Sequence, residues 1–191
     1  MENKITIPKD NLLNSYNQAS GEQKSLLENM FGKDMFQVKD IRERVKTFED
    51  AVAVLGNDNH AVIDYYAIAD KTCTGDILAY AKLRVIAEAL NEGWKPSFNT
   101  NECRYYSWFY LYTKSEYEKL DDDDKKICRV IDCSNGNSYA HCGLVCKNAS
   151  YTISYTYSDS NFGSRLTFKT RELAEYCGKQ FIDIWADFLF A

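Results

Sequence analysis

The spacing of hydrophobic positions along this chain changes twice. Helical spacing dominates to about residue 93, two-residue alternation follows from about 104 to 169, and helical spacing returns from 171 to 190. In the last segment Leu173, Ala174, Cys177, Gly178, Phe181, Ile182, Ile184, Trp185, Phe188 and Leu189 fill one half of a helical wheel. Glu172, Glu175, Lys179, Gln180, Asp183 and Asp187 fill the other half, joined by Tyr176. So clean a partition predicts one long amphipathic helix that covers a core and ends the domain. Gly178 sits in the middle of the apolar half, where a missing side chain permits close approach.

Upstream, residues 9–31 read as helical, with Ser20 as a cap and Gly32 closing the helix. Residues 38–46 alternate weakly. Thr47-Phe48-Glu49-Asp50 resembles a capping box with Asp in place of Glu, opening a helix over Phe48–Leu55 that stops at Gly56. His60–Ala69 reads as a further helix. Residues 72–76 read as a turn, with Thr74 or Asp76 as the cap of a strong helix over 77–91. Its apolar arc holds Leu78, Leu83, Val85, Ile86, Ala89 and Leu90, with Arg84, Glu88 and Asn91 opposite. Gly93 and Pro96 end it.

Five strands are predicted next: Arg104–Thr113, 127–133, 143–147, 151–157 and 165–169. Residues 114–120 suit a helical turn, residues 121–126 a solvated loop, and residues 134–137 and 158–163 turns. Helices, then strands, then a helix predict an α+β fold. Its expected form is N-terminal helices, an antiparallel sheet of about five strands, and the C-terminal amphipathic helix packed on the sheet. The expected organisation is an N-terminal helical segment over 1–35 and a single α+β domain over 36–191.

Composition narrows the function classes. The 191 residues carry a net charge of −5, with 12 basic and 15 acidic side chains in the first hundred residues and 11 and 13 in the rest. No basic half exists to follow a phosphate backbone, so duplex nucleic acid is not an expected partner. No apolar run approaches the ~20 residues of a membrane span, and no membrane association is expected. Met1-Glu2-Asn3-Lys4-Ile5-Thr6 lacks the apolar core of a secretion signal. Seven cysteines without an export signal read as reduced thiols in a cytoplasmic protein.

Several constellations invite chemistry. Cys128, Cys133, His141, Cys142 and Cys146 offer zinc-ligand types, but no pair has the two-residue spacing of a ligand knuckle, and small cysteines also suit strand positions. Cys103, Cys142 or Ser164 with His60 or His141 would be the nucleophile–base choices, yet adjacent His141 and Cys142 on a strand point to opposite faces. The nine glycines form neither a Walker nor a dinucleotide-binding sequence. Lys82 falls inside an apolar arc, where its stem packs and its ammonium reaches outward. The remaining candidate is a sheet face. Alternation groups Tyr106, Trp108, Tyr110 and Tyr112 on one face of their strand, and Arg165, Thr167 and Lys169 on one face of theirs. Tyr106, Trp108 and Tyr110 could stack on a planar anion that Arg165 and Lys169 neutralise. An ordinary solvent-facing sheet with aromatic cross-strand pairs is the plainer account.

The segments RVKTFEDA at 44–51, AYAKLRVIAEALNEGW at 79–94 and KTRELAEYCGKQFID at 169–183, with the aromatic segment 104–113, occur in that order. Together they resemble a family of uncharacterised proteins common in phages and prophages of gut Bacteroidota, over most of residues 35–190. The resemblance implies a mobile-element protein working in a bacterial cytoplasm or packaged in a particle. It carries no catalytic residues across. The resulting expectation is a non-enzymatic accessory protein, without cofactor or metal, that binds a host or phage macromolecule, with a protein as the expected partner. A nucleotide-binding or sequestering protein and a minor virion component are the alternatives.

Overall fold

The computed structural model describes residues 7–36, 40–71, 74–96, 102–130, 141–152 and 164–190. The expected turns at 134–137 and 158–163, and the strand positions 131–133 and 153–157, lie outside them. The chain divides into two compact units, Met1–Asp40 and Ile41–Ala191.

The first unit is built on two helices, α1 (Lys9–Gln18) and α2 (Gly21–Phe31). Ser20 and Gln23 form a capping box at the start of α2, with the Ser20 N–H donating to Gln23 Oε1 at 2.8 Å. The rings of Tyr16 and Phe36 stack at 4.3 Å, and Phe31 meets Phe36 edge-on. The Tyr16 hydroxyl donates to Glu28, and that bond to a carboxylate holds the phenol pKa above its ordinary value.

The second unit opens with three helices: α3 (Ile41–Arg44), α4 (Phe48–Leu55) and α5 (His60–Ala69). The Thr47–Asp50 capping box forms as its sequence predicts. Asp50 N donates to Thr47 Oγ1, and Asp50 Oδ2 accepts from the backbone N–H groups of Lys46 and Thr47 at 3.0 and 2.9 Å. Those donors hold the Asp50 carboxyl below its ordinary pKa. Helix α6 (Gly75–Asn91) follows and forms the centre of the helical layer, with Leu83, Val85, Ile86, Ala89 and Leu90 fully buried. Helices α4 and α5 pack on it. Lys82 projects from α6 over the Phe48 ring, a cation–π contact at 5.8 Å, in keeping with a snorkelling side chain.

The sheet is antiparallel, as expected, and among the described residues it has four strand segments instead of five. The strands β1 (Arg104–Thr113), β2 (Arg129–Val130) and β3 (His141–Thr152) lie in the order β1–β3–β2. On the other side of β1, Phe168 makes a single bridge to Tyr105 through a pair of backbone hydrogen bonds of 3.0 and 2.7 Å. The two strands expected at 143–147 and from 151 are one continuous strand, β3. No glycine or proline interrupts residues 147–150, and β1 is long enough to pair along the whole length. Where Trp108 opposes Asn148 and Phe109 opposes Cys146, the register leaves Lys147 as a bulge.

The segment 165–169 is not a regular strand. Ser164–Leu166 is a 3-10 turn, and Leu166, Thr167 and Phe168 are all buried. A segment enclosed from both sides loses the alternation that would place Thr167 with Arg165 and Lys169. Short helices α7 (Lys114–Glu118) and α8 (Asp122–Ile127) connect β1 to β2. The stretch 121–126, expected as a loop, is thus mostly helix. Asp121 Oδ1 caps it by accepting from Asp124 N at 2.7 Å, and acidic groups in its first turn suit the helix dipole.

The C-terminal helix expected over 171–190 is two helices, α9 (Arg171–Gln180) and α10 (Ile182–Phe190), broken at Phe181 with φ −111° and ψ 32°. The break serves two packing directions. Helix α9 lies on β1 and β3, whereas α10 packs mainly on α6. Ser107 Oγ donates to the Ala174 carbonyl at 2.7 Å, fixing α9 on the sheet. Trp185, 1 % exposed, lies 5.0 Å from the Phe109 ring, and Phe188 lies 5.8 Å from Tyr80 of α6. Among the described residues, no helix is long and apolar enough to cross a membrane.

Gly178 is where α9 meets the sheet most closely. A Cβ there would overlap Cys146 Sγ and stand 3.0 Å from both Cys146 Cβ and Ser107 Cβ. Overpacking of this kind costs about 1–3 kcal/mol, and an overlap this deep lies in the upper part of that range. The helix-propensity gain of Ala over Gly is only ~1 kcal/mol. Gly178→Ala should therefore lower the melting temperature, and Gly178→Leu should lower it further. Cys146→Ala should recover part of the Gly178→Ala loss in a double-mutant cycle. A melting temperature that Gly178→Ala leaves unchanged or raises would show that the position faces open space.

Candidate functional site

Helix α6 places Arg84, Glu88 and Asn91 along one stripe, at spacings of four and three residues. The helix ends on Glu92, which takes the left-handed conformation with φ 49° and ψ 47°, followed by Gly93 at φ 84°. This double reversal brings Trp94, Lys95 and Pro96 back beside the stripe. Opposite them lies Arg165. Its segment is held by Asn91, whose Nδ2 donates to the Thr167 carbonyl at 2.8 Å and whose Oδ1 accepts from Lys169 N at 3.0 Å. The sequence reading puts Asn91 on the polar side of α6, yet it is only 5 % exposed, because the clamped segment covers it.

The result is a cleft of about 280 Å³ with Arg84, Glu88, Trp94, Lys95 and Arg165 in its walls. Arg84 Nη1 pairs with Asp64 Oδ2 at 3.2 Å, and Glu88 Oε1 accepts from Asn59 Nδ2 at 2.8 Å. The Trp94 indole is fixed by its N–H donating to Glu102 Oε1 at 2.8 Å. Lys95 and Arg165 have no carboxylate within ion-pair distance among the described residues. The cleft thus holds three cations and one carboxylate beside a half-buried indole.

A second surface lies on the sheet. Ser107 and Phe109 face α9 and α10, so the alternate residues Tyr106, Trp108, Tyr110 and Tyr112 face the other side. Tyr112 is buried there, next to Gly143 and the Tyr117 ring of α7. Trp108 and Tyr110 remain 41 % and 44 % exposed, with their rings 6.0 Å apart and edge-on.

The five residues singled out from the sequence fall in three places. Tyr106, Trp108 and Tyr110 stand together on the open sheet face. Arg165 lines the cleft, whose walls contain none of those aromatics. Lys169 Nζ pairs with Glu92 Oε2 at 3.1 Å, a carboxylate shared with Arg44. Arg84, Trp94 and Lys95 were not among the sequence candidates. The signal for them was the helix-ending Gly93, which returns the next residues toward the last polar stripe of α6.

The thiols are placed as structure. Cys146 and Cys177 are buried thiols, and burial pushes their pKa values from 9.0 up to about 11 and about 12. The neighbouring Trp185 indole has a smaller effect in the opposite direction. Cys146 of the zinc candidates points at Gly178, and Cys128 is the C-cap of α8. Cys133 and the side chains of His141 and Cys142 lie outside the described residues. Among the described residues, no group of three or more metal-ligand types gathers. His60 is exposed at the start of α5.

No family model matches this chain, no curated protein matches it, and no solved structure matches it.

Two outcomes follow. Removing Asn91 takes one hydrogen bond from a buried carbonyl and one from a half-buried N–H, and a buried group that loses its bond costs about 1–3 kcal/mol. Asn91→Leu should therefore lower stability by about 1 kcal/mol or more in urea denaturation, and an unchanged midpoint would show that the clamp contributes nothing. For the thiols, raised folded pKa values mean that their stabilisation is complete below pH 9.0. It is lost as pH rises toward about 11 and about 12, because the unfolded chain ionises first. Iodoacetamide at neutral pH, read by peptide mass spectrometry, should spare Cys146 and Cys177 in the native protein and alkylate both in urea.

Proposed function

We propose that this chain is a non-enzymatic accessory protein of a phage or prophage, working in the bacterial host cytoplasm, that docks a protein partner on the open face of its sheet. The observation carrying this reading is the exposed pair Trp108 and Tyr110. Two large aromatic side chains fixed on strand β1 offer contact area with little conformational entropy left to lose. Trp and Tyr are the side chains that most often dominate protein interfaces. Beneath them the strand is supported by the Phe109 ring on Trp185 and by the Ser107 hydroxyl bonded to the Ala174 carbonyl. The net charge of −5 favours a partner with a basic rim, through steering more than through affinity. The phage context rests on the sequence resemblance.

The test uses the intact chain as bait in extracts of cells carrying the element, followed by titration of the purified partner. Trp108→Ala with Tyr110→Ala should leave the melting temperature within a few degrees and weaken binding by about 2 kcal/mol or more, roughly 30-fold. A captured protein that binds the double variant as tightly as the parent would refute this surface.

A further inference from the structure

We propose that the cleft between the end of α6 and the segment around Arg165 binds a nucleoside monophosphate, independently of any docking on the sheet. Three observations converge. The first is charge. Lys95 and Arg165 face one cleft with no carboxylate partner among the described residues, while Arg84 stands beside them already oriented by Asp64. A phosphate dianion would satisfy both unpaired cations, and a guanidinium with an ammonium is a recurrent phosphate-binding combination.

The second observation is the wall. Trp94 is half buried and its indole is anchored to Glu102, so the ring is held in place before any ligand arrives. A fixed indole is a stacking surface for a planar base. Glu88 adds polarity suited to a base edge. Asn59 occupies one of its oxygens, and the other can accept from an exocyclic amino group or a ring N–H.

The third is size and construction. A volume of about 280 Å³ lies just under the ~300–1,000 Å³ of drug-sized sites. One base, one sugar and one phosphate suit it, and a dinucleotide does not. The cleft is also built rigidly. Asn91 clamps the Arg165 segment to α6 with one buried and one half-buried hydrogen bond, and Glu92 ties the same segment through Lys169. The dipole at the C-terminal end of α6 opposes an anion there, and the charges of Lys95 and Arg165 offset it.

The experiment is isothermal titration calorimetry of the full chain at low salt with AMP, GMP, CMP and UMP, and with inorganic phosphate and adenosine as separate probes. At least one monophosphate should bind, more tightly than inorganic phosphate and more tightly than adenosine. Arg165→Glu and Lys95→Glu should each weaken it by about tenfold or more, and Arg165→Lys should retain part of the affinity. Both residues are exposed, so thermal melts should show folded variants. Trp108→Ala should bind like the parent, which separates this cleft from the sheet face. No heat from any monophosphate at millimolar concentration would overturn the proposal. So would affinity unchanged by Arg165→Glu, or inorganic phosphate binding as tightly as the nucleotides.

Discussion

The second unit depends on a contact made without a side chain. At Gly178 the backbone of α9 comes close enough to β1 and β3 to touch Cys146 and Ser107 directly. That distance sets the others. It brings the Ala174 carbonyl within reach of the Ser107 hydroxyl, and it buries Cys177 and Cys146 between helix and sheet. Interiors packed to crystal-like density transmit such constraints without slack. With α9 held this low, α10 can redirect at Phe181 and lay Trp185 and Phe188 against β1 and α6. Sheet and helical layer are therefore joined through one pair of helices, whose break lets each half follow a different surface.

The other organising element is the end of α6. The helix is buried over most of its length, and its last polar stripe emerges where the chain reverses. There Asn91 and Glu92 bond to a segment more than seventy residues away in sequence. Asn91 does so from the interior and Glu92 from the surface. Because the segment also bridges β1 through Phe168, the cleft walls are tied to both layers. Both Arg165 and Trp94 thus project from backbone that is already immobilised, as a preformed site requires.

Much of the fold was legible from periodicity. Burial on one face writes its spacing into the chain, and α4, α6, α9 and β1 carry it plainly. The glycine at 178 stood out because it interrupts an otherwise bulky stripe. What could not be read is burial from more than one side. Leu166, Thr167 and Phe168 are enclosed between α6 and β1, so the apparent alternation of 165–169 gave a false face and a false grouping of Arg165 with Lys169. The break at Phe181 has neither proline nor glycine to announce it, since tertiary packing imposes it. Of the candidate site, the aromatic face of β1 followed from alternation alone. The cleft did not, because its residues come from a helix end, a reversal and a distant turn, and only the Asn91 bonds bring them together.

The bulge at Lys147 has a consequence for how this sequence can vary. Cys146 and Ala149 are three positions apart and yet both face α9, since the extra residue shifts the phase of the strand. Strand β3 is thus two half-strands of opposite parity spliced at one residue. Deleting Lys147 would remove the bulge and leave simple alternation, with Cys146 and Ala149 two positions apart and still both toward α9. Deleting Val145 would instead put Leu144 and Cys146 side by side, on opposite faces. The bulge is thus the place where this strand can lose a residue and keep its register, while on either side of it the residue count is held by geometry.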